Sequence, residues 1–302
     1  MKRLNLLFAI PCLLAAQYIP AGQPIPRGPN PPVVFLNGYQ FLCGSTSFTG
    51  AFANAGTVLQ ANGLVSLFFD NCTVPGKPSI EALGAAFAQF LGGLKYTDGT
   101  AVPQVDVVAH SMGGLIVRSY LAGKKDVTPA TFAPPPNPGI RKLIFLGTPH
   151  FGSGLASAFG FDTESKELTV GSQFLFDLNT WNQGTDDLRG IDALAIVGNI
   201  GTGNESSIKS FDDGVVTLTS SSLAFARTGR TRVVPFCHTD DILLQIGGYC
   251  PLNSPSIAKV NDTSSVNGQI IVSFLTGTNG WQTLGQAIES NPGALAGNQP
   301  PG

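Results

Sequence analysis

Val105-Asp106-Val107-Val108-Ala109-His110-Ser111-Met112-Gly113-Gly114 is the stretch of the chain best equipped for chemistry. A β-branched apolar run ends in a serine flanked by small residues, and Gly113 to Ala122 behind it has helical spacing. A nucleophile elbow needs this order, because a serine on a tight strand-to-helix turn clashes with bulky side chains two positions before and after it. Those positions hold Ala109 and Gly113, so the motif reads A-x-S-x-G, one methyl larger than the usual first glycine. The turn sets Ser111 at a helix N-terminus, where unpaired N–H groups favour developing negative charge. Small-x-Ser-x-Gly by itself arises often by chance, so the reading rests on the strand, the helix and partners elsewhere. A serine hydroxyl near neutral pH needs a neighbouring proton acceptor. Three histidines are available: His110, His150 and His238.

The elements that must position these groups are legible as alternation. Short β-branched runs recur at Val33 to Leu36, Leu64 to Phe69, Val105 to Ala109, Lys142 to Leu146, Ala193 to Val197 and Arg232 to Phe236. Helical spacing fills Phe52 to Gln60, Ser79 to Leu94, Gly113 to Ala122 and Val266 to Leu275. Continuous apolar strands separated by helices predict an α/β fold, a mostly parallel sheet of about six strands with helices on both faces. Pro129 to Pro138 reads as a surface loop, and no internal repeat is visible. The segment 151–190 carries scattered apolar residues, among them Leu155, Phe159, Phe174, Phe176 and Trp181. It is either a cap over the site or an ordinary helical excursion packed on the sheet.

The elbow, the turn Val34-Phe35-Leu36-Asn37-Gly38-Tyr39, the stretch Gly147-Thr148-Pro149-His150-Phe151-Gly152-Ser153, the segment Leu168 to Leu175 and Asp213-Gly214-Val215-Val216 together resemble the secreted bacterial lipases and esterases of the α/β-hydrolase superfamily. The resemblance runs from Val33 to about Trp281 and is specific for the superfamily but only suggestive for a subfamily. It implies a compact α/β-hydrolase fold lacking the first two strands of its fullest form. It implies carboxylic ester hydrolysis, and no cofactor or metal.

In this fold the nucleophile, acid and base follow in the order Ser, Asp/Glu, His. His110 adjoins Ser111 and is expected to point away from the hydroxyl, and His150 precedes any plausible acid, which leaves His238, after the run Arg232 to Phe236, as base. The acid falls between Val197 and His238, among Asp212, Asp213 and the outlying Glu205. Asp213 is preferred because Asp213-Gly214-Val215-Val216 is similar to the segment where related lipases carry their acid, though spacing alone does not separate it from Asp212. The oxyanion hole is expected from the backbone N–H groups of Met112 and Tyr39. Relatives usually have His-Gly where this chain has Asn37-Gly38. Asp240 resembles a calcium-binding position of larger bacterial lipases, but with no second acidic ligand it reads as a solvated loop carboxylate.

Charged residues make up 12% of the 302 and the net charge is −2, which excludes a basic face for nucleic acid. Met1-Lys2-Arg3 followed by an apolar run to Ala16 reads as a secretory signal peptide over residues 1–22, cleaved between Ala16 and Gly22. A Pro-rich linker (23–32), the hydrolase domain (33–281) and a flexible tail (282–302) follow. Export leaves Cys43, Cys72, Cys237 and Cys250, an even count that suggests two disulfides. Three pairings exist; Cys43 with Cys72 and Cys237 with Cys250 is expected, because the loops after two neighbouring parallel strands emerge at one edge and Ile242 to Ile246 can fold back. The partner implied is an ester or lipid substrate, with transient contact at a lipid interface and an oligomeric state the sequence does not give. Three functions compete. One is an esterase or lipase, tested by covalent labelling of the serine. A second is a hydrolase of polyesters or lipid-linked esters, separated from the first by substrate-length preference. The third, a secreted non-catalytic binding module on the same scaffold, is disfavoured by the complete Ser, acid and His set.

Overall fold

The computed structural model describes residues 18–40, 43, 48–159, 162–182, 186–200, 211–227, 229–241 and 245–287. Most of the stretch read as a leader (1–17), the outlying Glu205, part of Ile242 to Ile246 and the end of the stretch read as a tail (288–302) lie outside the described residues. Among the described residues seven strands form a sheet: β1 (Val33–Leu36), β2 (Ser66–Phe69), β3 (Val105–His110), β4 (Ile140–Leu146), β5 (Asp192–Gly198), β6 (Thr231–Val234) and β7 (Gln286–Ala287). Their order is β2-β1-β3-β4-β5-β6-β7, and every pairing is parallel except the antiparallel β6–β7. β7 lies in the stretch expected to fray. Two residues carry no periodicity to read, but Arg232 on β6 donates to the carbonyls of Leu284 (2.6 Å) and Gly285 (2.8 Å) and ties the segment down.

Side-chain alternation along the buried strands sends residues to two cores. Val34, Leu36, Val107, Ala109, Leu143 and Phe145 face one layer, which holds helices α2 (Ile80–Gly93), α3 (Met112–Ala122), α5 (Thr163–Leu168) and α6 (Gln173–Thr180). Val33, Phe35, Val108, Ile144 and Leu146 face the other, which holds α1 (Ala55–Ala61) and the C-terminal helix α8 (Val266–Thr276). The short helices α4 (Ala156–Phe159) and α7 (Leu218–Ser221) lie in the connections. Ile25, in the stretch read as a linker, is fully buried and accepts from Thr97 N while donating to Lys95 O. Tyr18 packs edge-on against Phe35 and Phe68.

Parallel strands send their following loops to one edge of the sheet, so the loops after β1, β3, β5 and β6 converge at the carboxyl ends of the strands. β1 and β2 are hydrogen-bonded neighbours, and Cys43 beyond β1 is joined to Cys72 beyond β2 with Cα atoms 5.3 Å apart. Cys237 beyond β6 is joined to Cys250, Cα atoms 6.2 Å apart.

Candidate active site

At the end of β3 the chain turns on Ser111 with φ 54° and ψ −129°, a conformation that costs a non-glycine residue free energy and persists only where its surroundings enforce it. They do so through hydrogen bonds on both sides: Ser111 N–H donates to Leu146 O (2.9 Å) and Gly114 N–H to Ser111 O (3.0 Å). Glycines let neighbouring backbone come close. A Cβ on Gly113 would stand 2.7 Å from Asn37 O, and one on Gly38 would stand 2.6 Å from Ser111 Cβ. The loop after β1 therefore runs directly against the serine.

His238 Nε2 is 2.8 Å from Ser111 Oγ, and His238 Nδ1 is 2.8 Å from Asp213 Oδ2. A carboxylate only accepts, so Nδ1 carries the hydrogen and Nε2 is left as the acceptor facing the hydroxyl. The other oxygen of Asp213 accepts from Val216 N (2.7 Å) and Val215 N (3.0 Å), and His238 N donates to Asp213 O (2.8 Å). Asp213 is held on both oxygens and on its backbone. Asp212, the competing carboxylate, turns instead to accept from Gly214 N at 3.0 Å.

No protein-family model and no curated protein sequence matches this chain. Among solved structures it is similar to the mature form of lipase BlEst2 of Bacillus licheniformis, at 21% identity and a TM-score of 0.52, over 72% of this chain and 89% of that one. It is also similar to phospholipase PlaB of Legionella pneumophila, at 17% identity and a TM-score of 0.55, over 82% of this chain and 59% of that one. This chain has the α/β-hydrolase fold. Its serine occupies the strand-to-helix turn of that fold, after β3 and at the N-terminus of α3. Asp213 follows β5 and His238 follows β6, both at the same edge of the α/β-hydrolase sheet.

Gly147 follows β4 with φ +57°, and a Cβ there would lie 2.9 Å from Asp213 Oδ2 and 3.0 Å from His238 Nδ1. Asp213 and His238 thus pack against bare backbone. Met112 is fully buried beside Ser111, and Tyr39 follows the glycine that abuts it, so both expected oxyanion residues flank the serine. A cavity of about 710 Å³ opens over Ser111 and His238, with Pro149, Leu155, Ala156, Leu168, Val215 and Val216 supplying apolar wall. The 151–190 segment contributes Leu155, Ala156, Ser165 and Leu168 to that wall.

Sequence reasoning set His110 aside, yet the structure puts it beside His238. Its Nε2 is 3.0 Å from His238 O and the two rings are 4.8 Å apart. Burial, then the neighbouring His238, push its pKa down to about 3, so it is neutral and donates Nε2–H to that carbonyl. Adjacency in sequence hid this, because the backbone contact comes from a residue 128 positions away. His150 lies apart from Ser111, Asp213 and His238, between Phe145 and Phe225 with Nδ1 3.5 Å from the buried Arg118, and is likewise held neutral by burial and that guanidinium. Asp240 lines the cavity and forms an ion pair with Lys259. Among the described residues no cluster of three or more His, Cys, Asp or Glu side chains is arranged to hold a metal ion.

Proposed function

We propose that the protein is an exported serine hydrolase of carboxylic esters that works through an acyl-enzyme on Ser111. The observation that carries this reading is the continuous hydrogen-bonded line Ser111 Oγ, His238 and Asp213, at 2.8 Å and 2.8 Å, on the wall of a largely apolar cavity. As the Ser111 oxygen adds to the ester carbonyl carbon, its proton passes to His238 Nε2, and Asp213 stabilises the imidazolium. Charge developing on the carbonyl oxygen is met by the N–H groups of Met112 and Tyr39. The imidazolium returns its proton to the departing alkoxide, leaving an acyl group on Ser111. Water deprotonated by His238 then attacks the acyl carbon, and the carboxylic acid leaves as Ser111 recovers its proton.

The acyl part fits the Leu155, Ala156, Leu168, Val215 and Val216 wall, whose apolar character suits hydrocarbon more than sugar or peptide. Export is supported by the N-terminal leader pattern and by two disulfides. The leader would be removed ahead of Tyr18, whose ring is part of the core. Among the described residues no helix is long and apolar enough to cross a membrane. The 151–190 segment acts as a cap in this reading, since α4 and α5 supply one wall of the cavity.

A fluorophosphonate should label wild-type protein at Ser111 and leave Ser111→Ala unlabelled. A folded wild type that resists the probe and hydrolyses no p-nitrophenyl ester would leave a binding module as the better reading. Comparing soluble short-chain with emulsified long-chain esters and with solid polyester then assigns the substrate class.

A further inference from the structure

We propose that Asp162 is a positioning residue: with the phenol of Tyr39 it forms a latch by which the 151–190 segment sets the place of the Tyr39 N–H. This rests on the reading of Tyr39 N–H as an oxyanion donor, and it adds a residue from outside the elbow loops to the working site. The loop after β1 is secured atom by atom as far as Gly38. Its N–H donates to Asn37 Oδ1 (2.8 Å), and its carbonyl accepts from Asn71 Nδ2 (2.9 Å) and Gln40 Nε2 (3.4 Å). At the next residue the anchor changes character. The Tyr39 hydroxyl donates to Asp162 Oδ2 at 2.6 Å, across 123 positions of sequence.

Asp162 is itself fixed. Its Oδ1 accepts from Ser165 N at 2.9 Å as the N-cap of α5, the helix whose Ser165 and Leu168 line the cavity. α5 is in turn pinned to α2, since Glu167 Oε2 accepts from Ile80 N at 2.7 Å. Lys77 closes the arrangement from a third side. Its Nζ lies 3.4 Å from Asp162 Oδ2 and 5.0 Å from the centre of the Tyr39 ring, and donates to Gln40 O at 2.8 Å. One carboxylate thus begins the helix that walls the acyl cavity and holds the side chain whose own backbone N–H faces the developing oxyanion. A shift of α5 is transmitted towards that N–H through the short Tyr39–Asp162 hydrogen bond, with Lys77 bridging Asp162 to the Gln40 carbonyl beside it. Burial raises the Asp162 pKa, but the bonds from Tyr39 and Ser165 and the Lys77 charge outweigh it and bring it to about 2, so the acceptor stays charged in neutral water.

The test uses two substitutions that leave the backbone donors and the helix cap in place. Tyr39→Phe removes only the hydroxyl. Asp162→Ser keeps an N-capping side chain for α5 but is too short to reach the phenol. With soluble p-nitrophenyl butanoate, each should lower kcat about tenfold at nearly constant KM. That is short of the hundredfold or more that follows outright loss of an oxyanion donor, because the donor survives and is only less well held. The double variant should cost no more than either single one, as members of one interaction do. Melting temperatures within a few degrees of wild type would separate this from a folding defect. Variants with kcat within twofold of an active wild type, costs that simply add, or a change confined to KM would overturn the latch alone. A wild type that neither hydrolyses the ester nor takes up a fluorophosphonate would overturn both the latch and the reading beneath it.

Discussion

Asp213→Asn should leave a folded protein whose base has the wrong tautomer, and the geometry says why. Asp213 Oδ1 accepts from two backbone donors, Val215 N at 3.0 Å and Val216 N at 2.7 Å, while Oδ2 accepts from His238 Nδ1 at 2.8 Å. An asparagine offers one acceptor and one donor. Two fixed N–H groups claim the acceptor, since the opposite flip would set an NH2 against both of them. The NH2 must then face His238 Nδ1, which has to become the acceptor, so the imidazole hydrogen moves to Nε2. Nε2 in that form cannot take the Ser111 proton at 2.8 Å. A loss of roughly 10⁴ in kcat follows, equivalent to about 5.5 kcal/mol of barrier. Volume is unchanged, and the His238 N to Asp213 O bond (2.8 Å) is untouched, so thermal stability should hold. Asp212→Asn is the control: its carboxylate accepts from Gly214 N rather than from His238, an amide oxygen can do the same, and kcat should stay within about threefold. The assay is kcat at saturating soluble ester, with a thermal melt of each variant. An Asp213→Asn enzyme within tenfold of wild type, or an Asp212→Asn enzyme that is the damaged one, would refute the assignment.

Gly147→Ala introduces a methyl 2.9 Å from Asp213 Oδ2 at a left-handed φ of +57°, and kcat should fall on the order of a hundredfold as acid and base are pushed apart; unchanged kcat at saturating ester would count against the close packing described. Cys237 precedes His238, and a Cβ on Gly214 would collide with the Tyr249 carbonyl next to Cys250, so this disulfide backs the loops that carry Asp213 and His238. Cys237→Ala/Cys250→Ala should lose about 3 kcal/mol of stability by the loop-entropy argument, and kcat at 25 °C should fall about tenfold while circular dichroism shows the fold retained; full activity in the folded double variant would refute the tether. Stability should also depend on pH with a definite shape. Buried His110 (pKa down to about 3) and His150 (also lowered) stabilise the fold fully above the ordinary histidine value, and that contribution is lost as pH falls. Glu164 and Glu167, raised by burial to about 7 and about 8, favour the fold fully below the ordinary carboxyl range and lose that contribution as pH rises through their folded values. The melting temperature should therefore decline both towards pH 3 and from about pH 6.5 to pH 8, and Glu164→Gln should flatten the alkaline limb; a melting temperature still rising to pH 9 would contradict it.

Strand and helix placement was largely legible because the buried strands are short runs dominated by aliphatic and aromatic residues, and parallel sheets bury both faces. The elbow was legible for a steric reason: only small residues fit around Ser111, and that requirement is local. Order along the chain and elimination among three histidines single out His238, the histidine that the structure sets between Ser111 and Asp213. What sequence alone could not resolve shares one property, that it depends on where a side chain points once distant segments meet. Asp212 and Asp213 are adjacent and chemically alike, and only the turn that aims Asp213 Oδ2 at His238 tells them apart. His110 was dismissed for its adjacency to Ser111, yet the packing of the loop after β6 onto β3 puts its ring on His238 O. β7 is too short for periodicity and exists because Arg232 draws the Leu284 and Gly285 carbonyls to the sheet edge. The contact between Tyr39 and Asp162 left no trace in either local stretch. Apolar periodicity and steric exclusion are written along the chain at short range, whereas hydrogen bonds between polar side chains over a hundred residues apart are decided only when tertiary packing brings donor and acceptor together.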